Sequence, residues 1–515
     1  MEKTFLKKIY LFLPALISGM LLVLSFPRFD FFVLAWAGFV PLLFSLWNKD
    51  WKESFVFGFV FGMIYFFGTL YWVYHSINHF GGISFFSSII IVLFLSAYLS
   101  LFPAVFAMLF SAVYKKTRLP ALFVAPVLWV SLEFIRSYAL TGFPWASIGY
   151  SQYRFLSLIQ VADISGIYGI SFLVLAVNGF ITDLLLLRTR LREMPLFPLS
   201  YLTGGATLLL ALLIATLGYG FWRLHQDRTG RSLTISVIQG NIEQDKKWEP
   251  VFQNEVIDIY TKLSEEALKE HPSLIIWPET AVPFLFGSDI ANTERLVQFQ
   301  KQTGTSLLFG SVIEKKPAAG SSALTNSAIL LDKEGKKSYV YDKIHLVPFG
   351  EYVPLRKVLF FIDKLVVGIG DYVPGNQYLL ADAELSRFST LICYEVIFPG
   401  LVRKFFTRGG DFMVTITNDA WFGNTAGPYQ HFSMAVFRAI ENRKPLVRAA
   451  NTGISGFVDS NGRILMQSRL FDRQVLTYTL KTDTSMTFYT KFGDLFSFFC
   501  IVISIILLGN IVPRR

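Results

Sequence analysis

Three polar residues in this chain of 515 residues follow or end apolar, strand-forming segments, and their types could together carry out acyl transfer. Cys393 stands at the end of one such segment, while Glu279 and Lys343 each follow another. A cysteine thiolate can attack an acyl group and hold it as a thioester until a second nucleophile takes it. Glu, Lys and Cys at three strand ends therefore form a residue set suited to acyl transfer through a thioester.

Each of these residues, taken alone, has an ordinary structural explanation. Glu279 could be a solvated acid at a strand end, Lys343 a surface lysine, and Cys393 a buried small apolar residue. Their combination favours a catalytic role, because all three follow or end an apolar strand and lie beside turns that contain proline and glycine. Cys393 is one of only two cysteines. We expect no disulfide between it and Cys500, which lies in an apolar run near the end of the chain.

The composition is that of a membrane protein. Hydrophobic residues make up 53% of the chain and charged residues only 16%, whereas charged residues form about 25% of ordinary soluble domains. The first apolar run follows three lysines but has no signal-peptide cleavage sequence, so we expect it to be retained as a helix. Apolar runs of about 17–25 residues are long enough to cross a bilayer. We predict eight transmembrane spans, at 9–27, 31–47, 54–75, 85–114, 120–138, 156–187, 197–222 and 494–512.

The region between the seventh and eighth predicted spans has the residue pattern of an α/β domain. Because its last strands follow one another without helices, we predict mixed sheets, and two helix-covered sheets packed together would satisfy the pattern. The predicted domains are a seven-helix membrane domain at 1–222, a catalytic domain at 223–493, and an eighth helix with a tail at 494–515. Within the catalytic domain, strands are predicted near 233–238, 274–277, 306–312, 328–331, 390–393, 413–417, 446–450 and 454–459, and helices near 252–267, 290–302, 398–408 and 427–442.

Basic residues are distributed unevenly among the short segments outside the predicted spans. Cytoplasmic loops carry an excess of Lys and Arg, so this bias predicts that both termini are cytoplasmic and that 223–493 faces the periplasm. The same residues account for most of the net charge of +10, and we therefore expect no nucleic-acid partner. They lie at the N-terminus, after spans two, four and six, and at the C-terminus: Lys3, Lys7, Lys8, Lys49, Lys52, Lys115, Lys116, Arg118, Arg188, Arg190, Arg192, Arg514 and Arg515.

Three motifs resemble the Glu, Lys and Cys motifs of the nitrilase, or carbon–nitrogen hydrolase, superfamily, and they occur in the same order. They are Trp277–Thr280, Tyr341–Pro354 and Ile392–Glu395. A domain of this kind inserted before the last of eight spans resembles the apolipoprotein N-acyltransferase family. The resemblance implies a membrane domain of about eight helices and a periplasmic αββα sandwich. Further similar segments are Ser25–Pro27, Tyr71-Trp72, Gly142–Trp145, Gly149–Gln152, Ala162–Gly169, Gln239–Asn241, Lys247-Trp248, Thr417–Phe422 and Arg448–Gly453.

The resemblance implies a two-step reaction that uses neither a cofactor nor a metal. The thiolate of Cys393 would attack the sn-1 ester of a phospholipid, with phosphatidylethanolamine as the expected donor, and form an acyl thioester. The α-amine of the diacylglyceryl-cysteine of an apolipoprotein would then take the acyl chain as an amide. This step completes lipoprotein maturation in the bacterial inner membrane, where the chain is expected to act as a monomer. His345 and His431 lack metal-ligand spacing and are assigned structural roles.

Other residues in the motifs receive supporting roles from the same resemblance. Glu279 is the expected general base, first for the thiol and later for the ammonium group. Lys343 and the backbone N–H of Tyr394 would stabilise the oxyanion, and the lysine charge would lower the pKa of the thiol from its usual ~8.5. Glu351 would orient Lys343 and the base, and Glu395 would support the site from the strand end.

Several aromatic residues and one arginine are candidates for substrate contact. Aromatic residues such as Trp248, Trp421 and Phe422 are commonly core or interfacial residues. The resemblance makes them, together with Tyr150, candidate substrate-binding residues. Arg136 lies three residues after a glutamate near the outer end of the fifth predicted span. Ionisable groups at such a depth are costly unless they are paired or functional. The pair is therefore either structural or a site for a lipid headgroup.

Two other functions stay open from the sequence. A membrane-anchored amidase or nitrilase that hydrolyses a small soluble substrate would use the same three residues, although one anchoring helix would suffice for it. A non-catalytic scaffold or lipid-binding module is the second alternative. The intact Glu, Lys and Cys motifs argue against that second alternative.

Overall fold

The computed structural model describes residues 2–117, 119–189, 199–226, 230–315, 323–353, 372–384 and 386–510. By their internal contacts the residues fall into two units. The first comprises Met1–Tyr74, Ser84–His225 and Phe492–Arg515, and the second comprises His75–Ile83 and Gln226–Lys491. Some residues used in the sequence analysis lie outside the described ranges, namely Arg118, Arg190, Arg192, Pro354, Arg514 and Arg515.

The first unit is built from apolar helices. Four of its described helices are long and apolar enough to cross a membrane, at Trp51–Leu70, Phe85–Thr117, Ala162–Arg188 and Leu199–Leu224. Shorter apolar helical segments cover Tyr10–Ser25, Phe32–Leu46 and Leu495–Gly509. The helices that lie in this unit or begin in it are Glu2–Ser25, Phe32–Leu34, Ala35–Gly38, Val40–Leu46, Trp51–Leu70, Val73–His75, Phe85–Thr117, Ala121–Arg136, Ile148–Gln152, Leu156–Ile159, Ala162–Thr189, Leu199–Leu224 and Leu495–Gly509.

The sixth predicted span, 156–187, is divided in the structure. A one-turn helix ends at Ile159, and the long helix begins at Ala162. Gly166, inside the long helix, has a φ of 62°, a left-handed conformation that glycine adopts without strain. A continuous apolar run therefore does not by itself show where one helix ends and the next begins.

The second unit contains two six-stranded sheets. Their strands are β1 Ser232–Gln239, β2 Leu274–Ile276, β3 Ser306–Lys315, β4 Ala323–Leu331, β5 Lys337–Asp342, β6 Leu380–Ala383, β7 Ser386–Ile392, β8 Phe412–Thr417, β9 Leu446–Ala450, β10 Gly456–Val458, β11 Ile464–Gln467 and β12 Gln474–Lys481. The strand order is β12-β1-β2-β3-β4-β5 in the first sheet and β11-β10-β9-β8-β7-β6 in the second. Strands β1 to β3 are parallel, as are β7 to β9, and the flanking strands are antiparallel. The prediction of mixed sheets is confirmed.

Helices pack on both sheets of this unit. The helix Gln253–Ala267 packs on β1 and β12, the helix Gly427–Asn442 packs on β9, and β1 contacts β9. In the core beneath the first of these helices, the rings of Tyr260 and Trp277 stack with their centroids 5.0 Å apart. The described helices of the unit are Ser76–Phe80, Gln244–Lys247, Pro250–Phe252, Gln253–Ala267, Leu268–Glu270, Ile290–Thr303, Cys393–Ile397, Pro399–Phe406, Asp419–Phe422, Gly427–Asn442 and Phe488–Phe492.

The strands predicted from sequence correspond to β1 to β4 and β7 to β10. Among the described residues, the four strands that the sequence pattern did not predict are β5, β6, β11 and β12, which lie at the edges of the two sheets. An edge strand is covered on fewer sides than an inner strand, so its sequence needs less apolar character. β11, for example, has no fully buried residue.

Candidate active site

Glu279 is carried by a turn that follows the inner strand β2. The backbone N–H of Trp277 donates to the Leu308 carbonyl at 2.8 Å, so pairing with β3 continues past the end of β2. The chain then passes over Gly310, where an added Cβ would lie 2.7 Å from Glu279 Cα. Glycine is therefore required at this position of β3. Thr280 has a φ of 45°, a left-handed conformation that is uncommon for a β-branched residue.

Lys343 follows the edge strand β5 and lies between two carboxylates. Its Nζ is 3.0 Å from Glu351 Oε1 and 3.3 Å from Glu279 Oε1, and its side chain is only 1% exposed. Burial by itself would lower the pKa of Lys343, but the carboxylates of Glu351 and Glu279 raise it well above its ordinary value. The side chain is therefore a permanent, buried positive charge.

Asn326, on the inner strand β4, joins the two acids that flank this lysine. Its Nδ2 donates to Glu279 Oε1 at 2.8 Å and to Glu351 Oε1 at 2.9 Å. The second carboxylate oxygen of Glu351 accepts from the backbone N–H of Val347 at 2.8 Å. The lysine and the asparagine thus fix the orientation of both acids.

Cys393 follows β7 directly and begins the short helix Cys393–Ile397. Its φ of 51° is left-handed, so the chain turns sharply at this residue, and its side chain is nearly buried. Burial raises the pKa of the thiol and so does the Glu279 carboxylate, while Lys343 lowers it; the net pKa is well above the ordinary value. The predicted lowering of the thiol pKa is therefore wrong, although Lys343 itself acts in the predicted direction.

Glu395 connects the cysteine turn with the lysine motif. Its Oε1 accepts hydrogen bonds from the Tyr341 hydroxyl at 2.7 Å and from the backbone N–H groups of Ile344 at 2.7 Å and His345 at 3.2 Å. Its Oε2 accepts from the backbone N–H of Ile392 at 2.7 Å. Burial raises the pKa of Glu395 to about 7, although these hydrogen bonds act to lower it. The residue therefore connects two segments of the site.

A buried network lies behind the nucleophile. Asp419 Oδ2 is 2.9 Å from Arg448 Nη2, and the same guanidinium nitrogen is 2.9 Å from His431 Nδ1. Burial and the nearby Arg448 charge lower the pKa of His431, so the imidazole is neutral. Nδ1 also lies 3.0 Å from Asp419 Oδ1. A carbonyl oxygen can only accept a hydrogen bond, so Nε2 carries a proton and donates to the Cys393 carbonyl at 3.2 Å. His431 thus contacts the backbone of Cys393.

Glu279 also has a partner directly after β8. The backbone N–H of Asn418, the residue that follows this strand, donates to Glu279 Oε2 at 3.0 Å. Both carboxylate oxygens of Glu279 are therefore held, one by Asn418 and one by Asn326 and Lys343. Glu279, Cys393 and Asn418 follow β2, β7 and β8, so the carboxyl ends of parallel strands from both sheets meet at this site.

The remaining candidates in the second unit are aromatic. Tyr394 is nearly buried, with its ring 5.1 Å from that of Phe398. Trp248 and Trp421 are partly exposed. Phe422 is buried edge-on against the His431 ring at 5.6 Å. These placements leave the two tryptophans with faces that a substrate could contact.

Arg136 and Tyr150 lie in the first unit, and both are buried. The guanidinium of Arg136 donates to the Phe143 carbonyl at 3.2 Å, the Trp145 carbonyl at 2.5 Å and the Ser147 hydroxyl at 3.2 Å. Glu133, three positions before Arg136, accepts a hydrogen bond from the backbone N–H of Ile148 at 2.8 Å. Both ionisable residues thus hold the segment 143–148, and this geometry favours a structural role for them over a site for a lipid headgroup.

Two family models match the chain. The model for the apolipoprotein N-acyltransferase N-terminal domain covers residues 18–180, and the carbon-nitrogen hydrolase model covers 234–487. The apolipoprotein N-acyltransferase of Geobacter metallireducens is 43% identical over 491 residues, which span 95% of this chain and 93% of that protein. The chain belongs to the apolipoprotein N-acyltransferase family. The Pasteurella multocida apolipoprotein N-acyltransferase is 34% identical over 501 residues, again 95% of this chain and 93% of that protein.

Membership of the apolipoprotein N-acyltransferase family confirms the resemblance drawn from the three motifs. The carbon-nitrogen hydrolase match at 234–487 coincides with the unit that contains both sheets. Among solved structures, an amidase from Nesterenkonia is 20% identical and covers 50% of this chain and 93% of its own, with a TM-score of 0.37. The two family models, at 18–180 and 234–487, show a helical N-terminal region and a nitrilase-like domain.

Proposed function

We propose that this chain transfers an acyl chain from a phospholipid, through a thioester on Cys393, to the N-terminal amine of a diacylated apolipoprotein. The observation that carries the proposal is the buried Lys343 ammonium between Glu279 and Glu351, in a chain of this family. Burying an ammonium and two carboxylates costs several kcal/mol per ion before their attraction is counted. A catalytic role accounts for why such a group is kept at the ends of these strands.

The first half-reaction starts from the protonated thiol, because burial raises the pKa of Cys393. Glu279 takes the thiol proton as sulfur attacks the ester carbonyl carbon, and negative charge develops on the carbonyl oxygen. Lys343 and the backbone N–H of Tyr394 stabilise that charge. The intermediate then expels the lysophospholipid alkoxide, which takes the proton from Glu279, and the acyl thioester remains.

The second half-reaction uses the same groups in reverse. The α-amine of the acceptor attacks the thioester as the free base, and an ordinary α-amino group has a pKa of about 7.7–8.0. Glu279 removes one proton from the attacking nitrogen and returns it to the departing Cys393 sulfur. The products are an amide and a regenerated thiol, so no oxidant, metal or cofactor takes part.

For the membrane arrangement, we propose eight spans with both termini in the cytoplasm and the second unit in the periplasm, at the bacterial inner membrane. Four long apolar helices, three shorter ones and the helix Ala121–Arg136 support this arrangement. The lysines and arginines of the short loops support the orientation. Phosphatidylethanolamine is the proposed donor because it would supply an sn-1 ester at this membrane, and a monomer is the proposed active form.

Neither alternative function, the amidase or the scaffold, accounts for all of these features. A singly anchored amidase would not account for relatives that match this chain over 95% of its length, including the helical first unit. A scaffold would not account for the retention of the charged groups around Cys393. The acyltransferase proposal accounts for both features.

The experiment that separates these functions uses the purified chain in detergent with phosphatidylethanolamine and a synthetic diacylglyceryl-cysteine peptide. The proposal predicts that the peptide gains the mass of one acyl chain while lysophospholipid accumulates in equal amount. An amidase would instead hydrolyse small amides and leave the peptide unchanged, and a scaffold would do neither.

A further inference from the structure

A second lysine lies beside the turn that carries Glu279. Lys247 ends the short helix Gln244–Lys247, and it is fully buried. Its Nζ is 2.8 Å from Thr280 Oγ1 and 3.1 Å from the Glu279 carbonyl oxygen. Lysine is almost never fully buried unless it is paired. The side chain therefore has a specific role at this turn.

The backbone that Lys247 contacts is in an unfavourable conformation. Thr280 has a φ of 45°, and a β-branched residue in this region is a conformational outlier. Such conformations persist only where the surrounding structure determines them. Lys247 bonds to both residues of the strained turn, one through a backbone carbonyl and the other through a hydroxyl.

The same short helix is also connected to the carboxylate of Glu279, through Asn418. Gln244 Oε1 accepts a hydrogen bond from Asn418 Nδ2 at 2.5 Å, and the backbone N–H of Asn418 donates to Glu279 Oε2 at 3.0 Å. Gln244 and Lys247 are three residues apart and so lie on one face of the helix. One helical face thus supports both the backbone and the carboxylate of Glu279.

The electrostatics of Lys247 differ from those of Lys343. Burial lowers the pKa of Lys247 to about 7, and the Glu279 carboxylate opposes that shift only in part. Near neutral pH the group is therefore partly an uncharged amine, whereas Lys343 keeps its charge. A partly neutral lysine is better suited to holding the turn through hydrogen bonds than to stabilising an oxyanion.

We propose that Lys247 is a positioning residue that holds the Glu279–Thr280 turn, so that the base stays aligned with the Cys393 thiol. The inference rests on the proposed function, in which Glu279 is the base. Removing the amine leaves the turn free to relax and misaligns the carboxylate. A displacement of about 1 Å of a reacting group can cost on the order of 100-fold in rate.

The test compares Lys247→Met with a matched control, Lys246→Met. Lys246 is exposed and pairs with Glu243 at 2.8 Å, so its substitution makes the same chemical change away from the turn. Thioester formation on Cys393 is followed by rapid quench with phosphatidylethanolamine alone. We expect the rate constant of Lys247→Met at saturating lipid to fall about 10- to 100-fold. The fraction of protein that forms the thioester (the amplitude) and the half-saturating lipid concentration should stay the same. Lys246→Met should match the wild type.

Thr280→Val and Thr280→Ser provide a second pair that leaves the lysine in place. Valine keeps the β-branched shape but removes the hydroxyl that accepts from Lys247, whereas serine keeps the hydroxyl. Thr280→Val should slow thioester formation and Thr280→Ser should not. The double variant Lys247→Met/Thr280→Val should be no slower than the slower single variant, because both changes break the same contact. If Lys247→Met does not fold, this pair alone decides the question.

The outcomes that overturn the inference are distinct from those that overturn the proposed function. A Lys247→Met protein with the wild-type rate constant would show that Lys247 does not position the base. A reduced amplitude with an unchanged rate constant would assign the lysine to folding alone. Absence of any thioester on the wild-type protein would instead refute the proposed function.

Discussion

Lys343 Nζ lies 3.0 Å from Glu351 Oε1, and both groups are withdrawn from solvent. The same nitrogen is 3.3 Å from Glu279 Oε1, so one ammonium compensates two carboxylates. This arrangement keeps Lys343 charged and leaves the proton of the site on Cys393. In the proposed mechanism the thiol is therefore activated when Glu279 removes its proton, because the thiol is not already ionised at rest.

The first prediction concerns stability. Lys343→Met leaves two buried carboxylates without their ammonium, whereas Glu351→Gln leaves Lys343 with Glu279. Removing one partner of a buried ion pair costs about 3–5 kcal/mol. We expect a loss of this size for Lys343→Met and a clearly smaller one for Glu351→Gln. Thermal or chemical unfolding in detergent measures both, and an equal loss in the two variants would contradict the shared role of Lys343.

The second prediction concerns the nucleophile. Cys393→Ala should abolish both half-reactions, and Cys393→Ser should lose most activity, because a serine hydroxyl is far less acidic than a thiol. Cys500 lies in the apolar helix Leu495–Gly509, and Cys500→Ala should be nearly silent. The measurement is lysophospholipid release and peptide acylation by each variant. Wild-type acyl transfer by Cys393→Ala would rule out the mechanism.

The third prediction separates the base from the oxyanion group through pH. Glu279→Gln removes the base, so thioester formation should be slow near neutral pH and should rise with pH as the thiol ionises. Because burial raises the pKa of Cys393, that rise should continue above the ordinary thiol pKa of about 8.5. Lys343→Met removes a positive charge that hydroxide cannot replace. We expect this to raise the activation free energy of thioester formation by about 2.7–4 kcal/mol.

The Lys343→Met variant should therefore show little rescue at high pH. Rates of thioester formation on Cys393 between neutral and alkaline pH test both variants in one series. Equal rescue of the two would mean that Lys343 acts mainly on the thiol pKa, and its assignment to the oxyanion would be abandoned.

The fourth prediction concerns the hydrogen bond from His431 to the Cys393 carbonyl. His431→Phe removes the donor, while His431→Gln can donate from a similar position. We expect His431→Phe to slow thioester formation about tenfold, the equivalent of about 1.4 kcal/mol, and His431→Gln to keep most of the rate. Single-turnover kinetics with phospholipid alone measure this. Similar rates for the two variants would show that the hydrogen bond does not hold the nucleophile.

The fifth prediction concerns orientation in the membrane. Lys116 and Lys269 are both exposed, one in the first unit and one in the second. In a Cys500→Ala background, Lys269→Cys should react with a membrane-impermeant maleimide in intact spheroplasts. Lys116→Cys should react only after the membrane is permeabilised. The reverse labelling would overturn the proposed orientation and the lipoprotein substrate with it.

The sequence predicted the inner strands of both sheets and missed every edge strand. Inner strands such as β8 are buried throughout, so their apolar runs are continuous. The edge strand β12 is mostly half-buried and does not produce such a run. Which strand lies at an edge depends on the strand order, and that order is set by contacts between distant parts of the chain.

The candidate site was predictable where a motif carries a functional residue and not where a distant residue supports it. Glu279, Lys343 and Cys393 stand at strand ends that the motifs identify. Asn326 was missed, although an asparagine inside a strand is unusual and could have been a signal. The contact of His431 with the nucleophile depends on how the helix Gly427–Asn442 packs. No spacing in the sequence indicates it.

The direction of the thiol pKa shift was wrong for a physical reason. The sequence shows a lysine that would stabilise the Cys393 thiolate, but it does not show how far the thiol is removed from water. In the structure, burial is the largest influence on the pKa of Cys393, and the Glu279 carboxylate adds to it. Together they outweigh the single positive charge of Lys343.

The central claim is that Cys393 carries the acyl chain between donor and acceptor. The most direct test is the intact mass of the protein, followed by peptide mapping, after incubation with phosphatidylethanolamine and no acceptor. The account predicts the added mass of one acyl chain on Cys393, removed by hydroxylamine and lost when the diacylated peptide is added. Acylation of another residue, or peptide acylation without any adduct on Cys393, would contradict it.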